Sequence, residues 1–285
     1  MKRNILTLII AVFALTQAAA QTYDNLWKQA DIIARKDQPR SEIGVMKKII
    51  SKASAAKDYG QLMAAEMRQM ILWKEISADS LTPNVERMEA EVLKVKDPAV
   101  KAVRYAVLGK VYSDMDEKKS EESFKKALEQ PELLAKHTST EYVPLTLKGV
   151  DGSSFNNDLL HLIGFEADSK EAYHLMYTYY NKVGNRGAAC LCAYKLIEKY
   201  RQDDVREVKK SKYLHTIDSL IHVYQDIPEA GELAVEHFRF MEGATDAKPL
   251  DKLNYINYAL SRWGGWSRMN ELRNAQKRLT EPMFQ

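Results

Sequence analysis

Residues 106–131 read AVLGKVYSDMDEKKSEESFKKALEQP, and their spacing decides the fold. Leu108, Gly109 and Tyr112 continue a stripe begun by Val100, Val103, Val107 and Val111. A polar break at 113–116 follows, and a second stretch carries Phe124 and Ala127 before Pro131. Apolar residues at steps of three and four mark amphipathic helices, whereas half-buried strands alternate with period two. A glycine inside a helix costs about 1 kcal/mol relative to alanine. Gly109 therefore predicts a point where the two helices of a hairpin approach closely.

The same stretch resembles the tetratricopeptide pattern through Leu108, Gly109, Tyr112, Phe124, Ala127 and Pro131. It departs from that pattern in a loop about one residue short, and in Glu121, which falls near a usual small position. A looser match follows, with Tyr180, Gly184-Asn185 at the turn and Ala188-Ala189 on the second helix. Outward from these units the helical rhythm persists. Met63, Met67 and Met70 form one stripe, and Leu214, Ile217, Ile221 and Tyr224 form another. Breaks and caps divide the chain into hairpins at 23–57, 59–96, 98–136, 168–200, 206–243 and 249–280. Pro39, Thr82-Pro83, Asp97-Pro98, a capping box at Asp168–Glu171 and Pro228 are the expected helix starts. Repeats of roughly this length bury their apolar faces against neighbours. The expected fold is all-α, a tetratricopeptide-like helix-hairpin solenoid.

Residues 137–167, HTSTEYVPLTLKGVDGSSFNNDLLHLIGFEA, break the rhythm. An extended stretch surrounds Pro144, Asp151-Gly152 signals a turn, and a short helix begins near Asn157-Asp158. The expected organisation is a signal peptide over 1–20, N-terminal hairpins over 21–136, this irregular insertion over 137–167, and C-terminal hairpins over 168–285. Loops on rigid scaffolds often carry recognition.

The N-terminus sets the compartment. Lys2 and Arg3 precede an apolar run from Ile5 to Leu15, and Ala18-Ala19-Ala20 offers the small-residue cleavage pattern. The run is shorter than the roughly 20 residues that span a bilayer. Cleavage after Ala20 leaves Gln21 first, with no nearby Cys for a lipid anchor. The expected product is periplasmic or exported, with no stable membrane insertion. Removing Lys2 and Arg3 from 42 basic residues leaves 40 against 39 acidic ones. That balance lacks the basic excess of a nucleic-acid binder. Fifteen Tyr and eleven Met point to a folded core.

No motif supplies chemistry. Gly-x-Ser-x-Gly, His-Glu-x-x-His, a phosphate-binding glycine loop and a dinucleotide fingerprint are all missing from the sequence. Cys190 and Cys192 would point about 200° apart on a helix, which disfavours a bridge and fits small buried side chains. Two thiolates without matching partners fall short of a zinc site. Asp158 and His161 stand three apart; a local hydrogen bond at a helix start explains them, with a shared metal or proton as the rarer reading. His215 and His222, seven apart, read as surface residues. Trp263, Trp266 and Arg268 around Gly264-Gly265 form a candidate protein-docking patch, because Trp and Arg are enriched at binding hot spots. Their bland alternative is that both Trp close the end of the array. Catalytic residues, cofactor and metal are all expected to be none.

Three segments, TYDNLWKQAD at 22–31, FNNDLLHLIGFEA at 155–167 and RWGGWSRMNELRNAQKRLTEPMF at 262–284, are similar to the helical N-terminal region of Bacteroidetes alpha-2-macroglobulin-family proteins. In that family the helical segment precedes β-sandwich domains that trap proteases, often through a Cys–Gln thioester in a Cys-x-Glu-Gln motif. This chain has no such motif, so the trapping chemistry passes to no residue here. The resemblance implies a non-enzymatic interaction module whose partner is a protein or peptide, including macroglobulin-type β-domains. A glycan- or nutrient-binding accessory protein of an outer-membrane uptake system is the alternative. Such proteins carry a lipid-anchored Cys where this chain has Gln21.

Overall fold

Asp97 shows how local chemistry starts a helix. Its carboxylate accepts hydrogen bonds from the N–H groups of Ala99 and Val100 at 2.9 and 3.0 Å, and Pro98 occupies the first helical position, where its missing N–H costs nothing. In the computed structural model, which describes residues 23–281 apart from 78, 80, 148, 204–209 and 244–246, the described residues form helices, short 3₁₀ turns and connections, with no strand. The chain is all-α. The expected signal peptide with Ala18–Ala20, Gln21 and Gln285 lie outside the described residues. Among the described residues no helix is long and apolar enough to cross a membrane.

The chain divides into two compact units between Gly149 and Val150, a boundary inside the 137–167 insertion. In the first, α1 (23–34), α2 (Pro39–Ala56), α3 (Tyr59–Ile76), α4 (Leu81–Lys94), α5 (Pro98–Tyr112), α6 (Glu117–Ala127) and the short α7 (Pro131–Leu134) follow in order. Helices α2 and α3 pack as one pair and α5 and α6 as another. Tyr23, Ile43, Met46, Ile49, Leu62 and Leu72 anchor the core around the first pair, with Trp27 and Trp73 packed at its edge.

Gly109 is where α5 meets α6. A Cβ there would lie 2.7 Å from Cδ2 of Phe124, and the Ser120 hydroxyl donates to the Gly109 carbonyl at 2.8 Å. Gly60 plays a similar part unannounced by the sequence: the backbone of Tyr142 and Val143 rests where its side chain would be. Of the three stripes, Val100, Val103, Val107, Met63, Met70, Ile217 and Tyr224 are buried, while Val111, Met67, Leu214 and Ile221 are half-buried at stripe margins.

The second unit holds α8 (Leu159–Ala167), α9 (Lys170–Lys182), α10 (Arg186–Asp203), α11 (Lys210–Tyr224), α12 (Ala230–Glu242), α13 (Pro249–Trp263) and α14 (Asn270–Thr280). Each packs on the next, and α12 also touches α10 and α14. Gly184, at φ +77°, makes the turn from α9 to α10. There Ala188, Ala189, Cys190 and Cys192 are fully buried, and both thiols are free.

Three expected starts shift. Helix α4 begins at Leu81, so Thr82 is inside its first turn and not its cap. Ser169, not Asp168, caps α9, accepting from Ala172 N–H at 3.1 Å. Asp168 instead ends α8 at φ +45° and binds the Tyr173 hydroxyl and the Lys199 ammonium at 2.7 and 2.6 Å. Pro228 precedes α12, which starts at Ala230. Each shift is of one or two residues, the ordinary spread of helix ends.

Candidate functional site

The expected docking residues sit where α13 turns into α14. Helix α13 ends at Trp263 with Gly264 as its cap, and a 3₁₀ turn, Ser267–Met269, leads into α14. Trp263 faces inward, 3% exposed. Its indole N–H donates to the Gln225 carbonyl at 3.2 Å, and its ring meets Tyr258 edge-on at 5.8 Å.

Trp266 and Arg268 are half-buried and share one carboxylate. The Trp266 indole donates to Glu232 Oε1 at 2.6 Å, and Arg268 Nε pairs with the same oxygen. The guanidinium lies 5.3 Å from the Trp266 ring centroid. It also grips Asp151, with Nη2 to Oδ2 at 2.6 Å and Nη1 to Oδ1 at 3.3 Å. Two-point contact is the geometry in which arginine binds a carboxylate best. Burial opposes the Arg268 charge, but the hydrogen bonds to Asp151 and the charge of Glu232 outweigh it and hold the guanidinium pKa above its usual value.

Asp151 is held at φ +58° in a tight turn, and Glu232 lies on α12 almost fully buried. Gly231 makes room beside it, since a Cβ there would come within 3.0 Å of the Trp266 side chain. The cluster therefore latches the turn at Asp151, helix α12 and the α13–α14 turn together. Asp151 was legible in the sequence only as a turn residue, and Gly231 and Glu232 were not singled out there. The available signal was EAGELAVEHF at 229–238, where acids interrupt an apolar run at helical spacing.

Asp158 and His161 are brought together, though not as a side-chain pair. Asp158 caps α8 by accepting the His161 backbone N–H at 2.8 Å, and both its oxygens accept from the Tyr180 hydroxyl at 2.9 and 3.0 Å. Burial outweighs these bonds and pushes the carboxyl up to about 6. The His161 ring stacks on Phe155 at 4.0 Å and meets Phe165 edge-on at 4.5 Å. Neither ring nitrogen has a well-aligned hydrogen-bond partner among the described residues. Burial holds its pKa down to about 4, against the pull of Asp151 and the Val150 backbone.

His215 and His222 are exposed on α11. Burial pushes the Cys190 and Cys192 thiols well up, which disfavours the nucleophilic thiolate. Among the described residues no group of three or more His, Cys, Asp or Glu is placed to hold a metal ion. No protein-family model matches the chain. No curated protein is significantly similar to it either.

Proposed function

We propose that this chain is an exported, non-enzymatic helical-repeat module that docks a protein or peptide, akin to the N-terminal arm of a bacterial alpha-2-macroglobulin-like protein. In this reading the hairpins of each unit stack as a tetratricopeptide-like array. The observation that carries it is the α5–α6 hairpin, where Gly109 admits the Phe124 ring and Ser120 ties the two helices. Such hairpins present helix faces as extended binding surfaces. Trp266 and Arg268, both half-exposed, supply the residue types that dominate binding energy. The signal-like N-terminus supports export, and the three segments at 22–31, 155–167 and 262–284 support the macroglobulin relationship.

The test pairs a cross-linked pull-down from envelope extract with sequencing of the DNA beyond the codon for Gln285. Recovery of one specific protein, or an open frame running into β-rich macroglobulin domains, is the expected result. No specific protein, a stop codon and no macroglobulin domain encoded nearby would together contradict it.

A further inference from the structure

In the α5–α6 hairpin, packing changes character with distance from the loop. Near the loop Phe124 fills the space over Gly109. Further along, the facing residues shrink to Ala102 and Ala127, both buried, and a cavity of about 280 Å³ opens beside them. Lys101 and Tyr105 line it from α5, and Lys126, Glu129 and Gln130 line it from the end of α6 and beyond. The Lys126 ammonium stands 5.5 Å from the Tyr105 ring centroid.

Several charges elsewhere in the same unit are paired. Arg68 pairs with Glu42 at 2.6 Å, Lys74 with Asp114 at 3.0 Å and Arg104 with Glu66 at 3.1 Å. Among the described residues no carboxylate, Glu129 included, stands within ion-pair distance of Lys101 or Lys126. Two ammonium groups against one rim carboxylate leave the cavity with a net positive charge. Its volume lies below the roughly 300–1,000 Å³ of pockets for drug-sized molecules, so it suits a single side chain or a small acid.

We propose that this cavity binds a carboxylate carried on a short aliphatic stem, with the methylenes against Ala102, Ala127 and Tyr105 and the carboxylate between Lys101 and Lys126. A glutamate side chain of a docked peptide and a free dicarboxylate share that chemistry. The peptide source rests on the interaction-module reading; the free acid does not.

The experiment records amide spectra of the full chain during titration with Ac-Gly-Glu-Gly-NH2, with Ac-Gly-Gln-Gly-NH2 and with glutarate. Saturable shifts at the amides of Ala102 and Ala127 are expected for the glutamate peptide or glutarate and not for the glutamine peptide. A dissociation constant on the order of 1 mM suits partly exposed charges. Lys126→Gln and Lys101→Gln should each weaken binding about tenfold, or about 1.4 kcal/mol. Ala102→Leu should abolish it by filling the base while both lysines remain. Tighter binding of the peptide than of glutarate assigns the site to chain-borne glutamate, and the reverse assigns it to a free acid. No shifts with either acid, equal shifts with the glutamine peptide, or unchanged binding in a folded Lys126→Gln protein would overturn the proposal. If the envelope pull-down still recovers its protein in those cases, only the cavity assignment fails.

Discussion

The α5–α6 hairpin and the α13–α14 turn hold their helices by opposite means. In the hairpin a missing side chain at Gly109 lets the Phe124 ring seat, and contact between close-packed surfaces supplies the stability. At the turn, Arg268 joins Glu232 to Asp151, and Trp266 completes the bonding of Glu232. The first contact joins residues close in sequence, while the second spans 117 positions. Shape fails when volume changes. Charge fails when one partner is lost, because the other is left buried and unpaired.

That contrast sets the largest expected effect. Phe124→Ala should destabilise the first unit by about 3–5 kcal/mol, from lost burial and the cavity left behind. Urea denaturation followed by circular dichroism measures it. Gly109→Ala should cost about 1–3 kcal/mol by overpacking, and the double variant should cost less than the two single losses added. Strict additivity would show that the two residues do not act as one contact.

Glu232→Ala should cost the second unit about 2–3 kcal/mol. That is less than for a fully buried pair, because the Arg268 side chain is 39% exposed and solvent screens part of its charge. Combined with Arg268→Ala, coupling of about 1 kcal/mol or more is expected in a double-mutant cycle. High salt should weaken this latch and leave the Phe124 contact unchanged. Equal salt sensitivity in both regions would remove the distinction.

A third effect lies at Asp158 and His161. His161, held down to about 4 from an ordinary 6.5, contributes stability above pH 6.5 that is lost as pH falls through 4. Asp158, pushed up to about 6 from 3.8, contributes stability below pH 3.8 that is lost as pH rises through 6. Between these values the two slopes oppose each other, so their joint contribution stays nearly flat. His161→Phe should unmask stability that declines as pH rises from 4 to 6, and Asp158→Asn the reverse. Each slope amounts to about 1–2 kcal/mol over that range after allowance for partial solvation. Parallel profiles in the two variants would rule out this balance.

The smallest effects distinguish cap from bystander. Asp97→Ala and Ser169→Ala should each cost about 1 kcal/mol, and Thr82→Ala less than about 0.5 kcal/mol. Stability measurements on the three variants check that order.

These examples also mark what was legible in the sequence. Helical periodicity, the Gly109 contact, the Asp97 cap and the helix break at Gly264 follow from neighbours a few residues away, so they could be read directly. Thr82 and Asp168 have the right chemistry for caps, but α4 already begins at Leu81, with Thr82 as its second residue, and α9 is capped one residue later, by Ser169. Asp151 was readable as a turn but not as the partner of Arg268, and Glu232 and Gly60 escaped notice, because their partners are brought in by tertiary packing, which leaves no periodic trace. At the candidate site Trp263, Trp266 and Arg268 were visible as residue types. Their carboxylate partner on α12 was not.

The proposed docking role is tested by isothermal titration of the full chain with recombinant macroglobulin-type β-domains. Saturable binding is expected, weakening at least about tenfold, or about 1.4 kcal/mol, when Trp266 is replaced by alanine in a folded protein. No heat of binding with any such domain, alongside a folded helical chain, would contradict it.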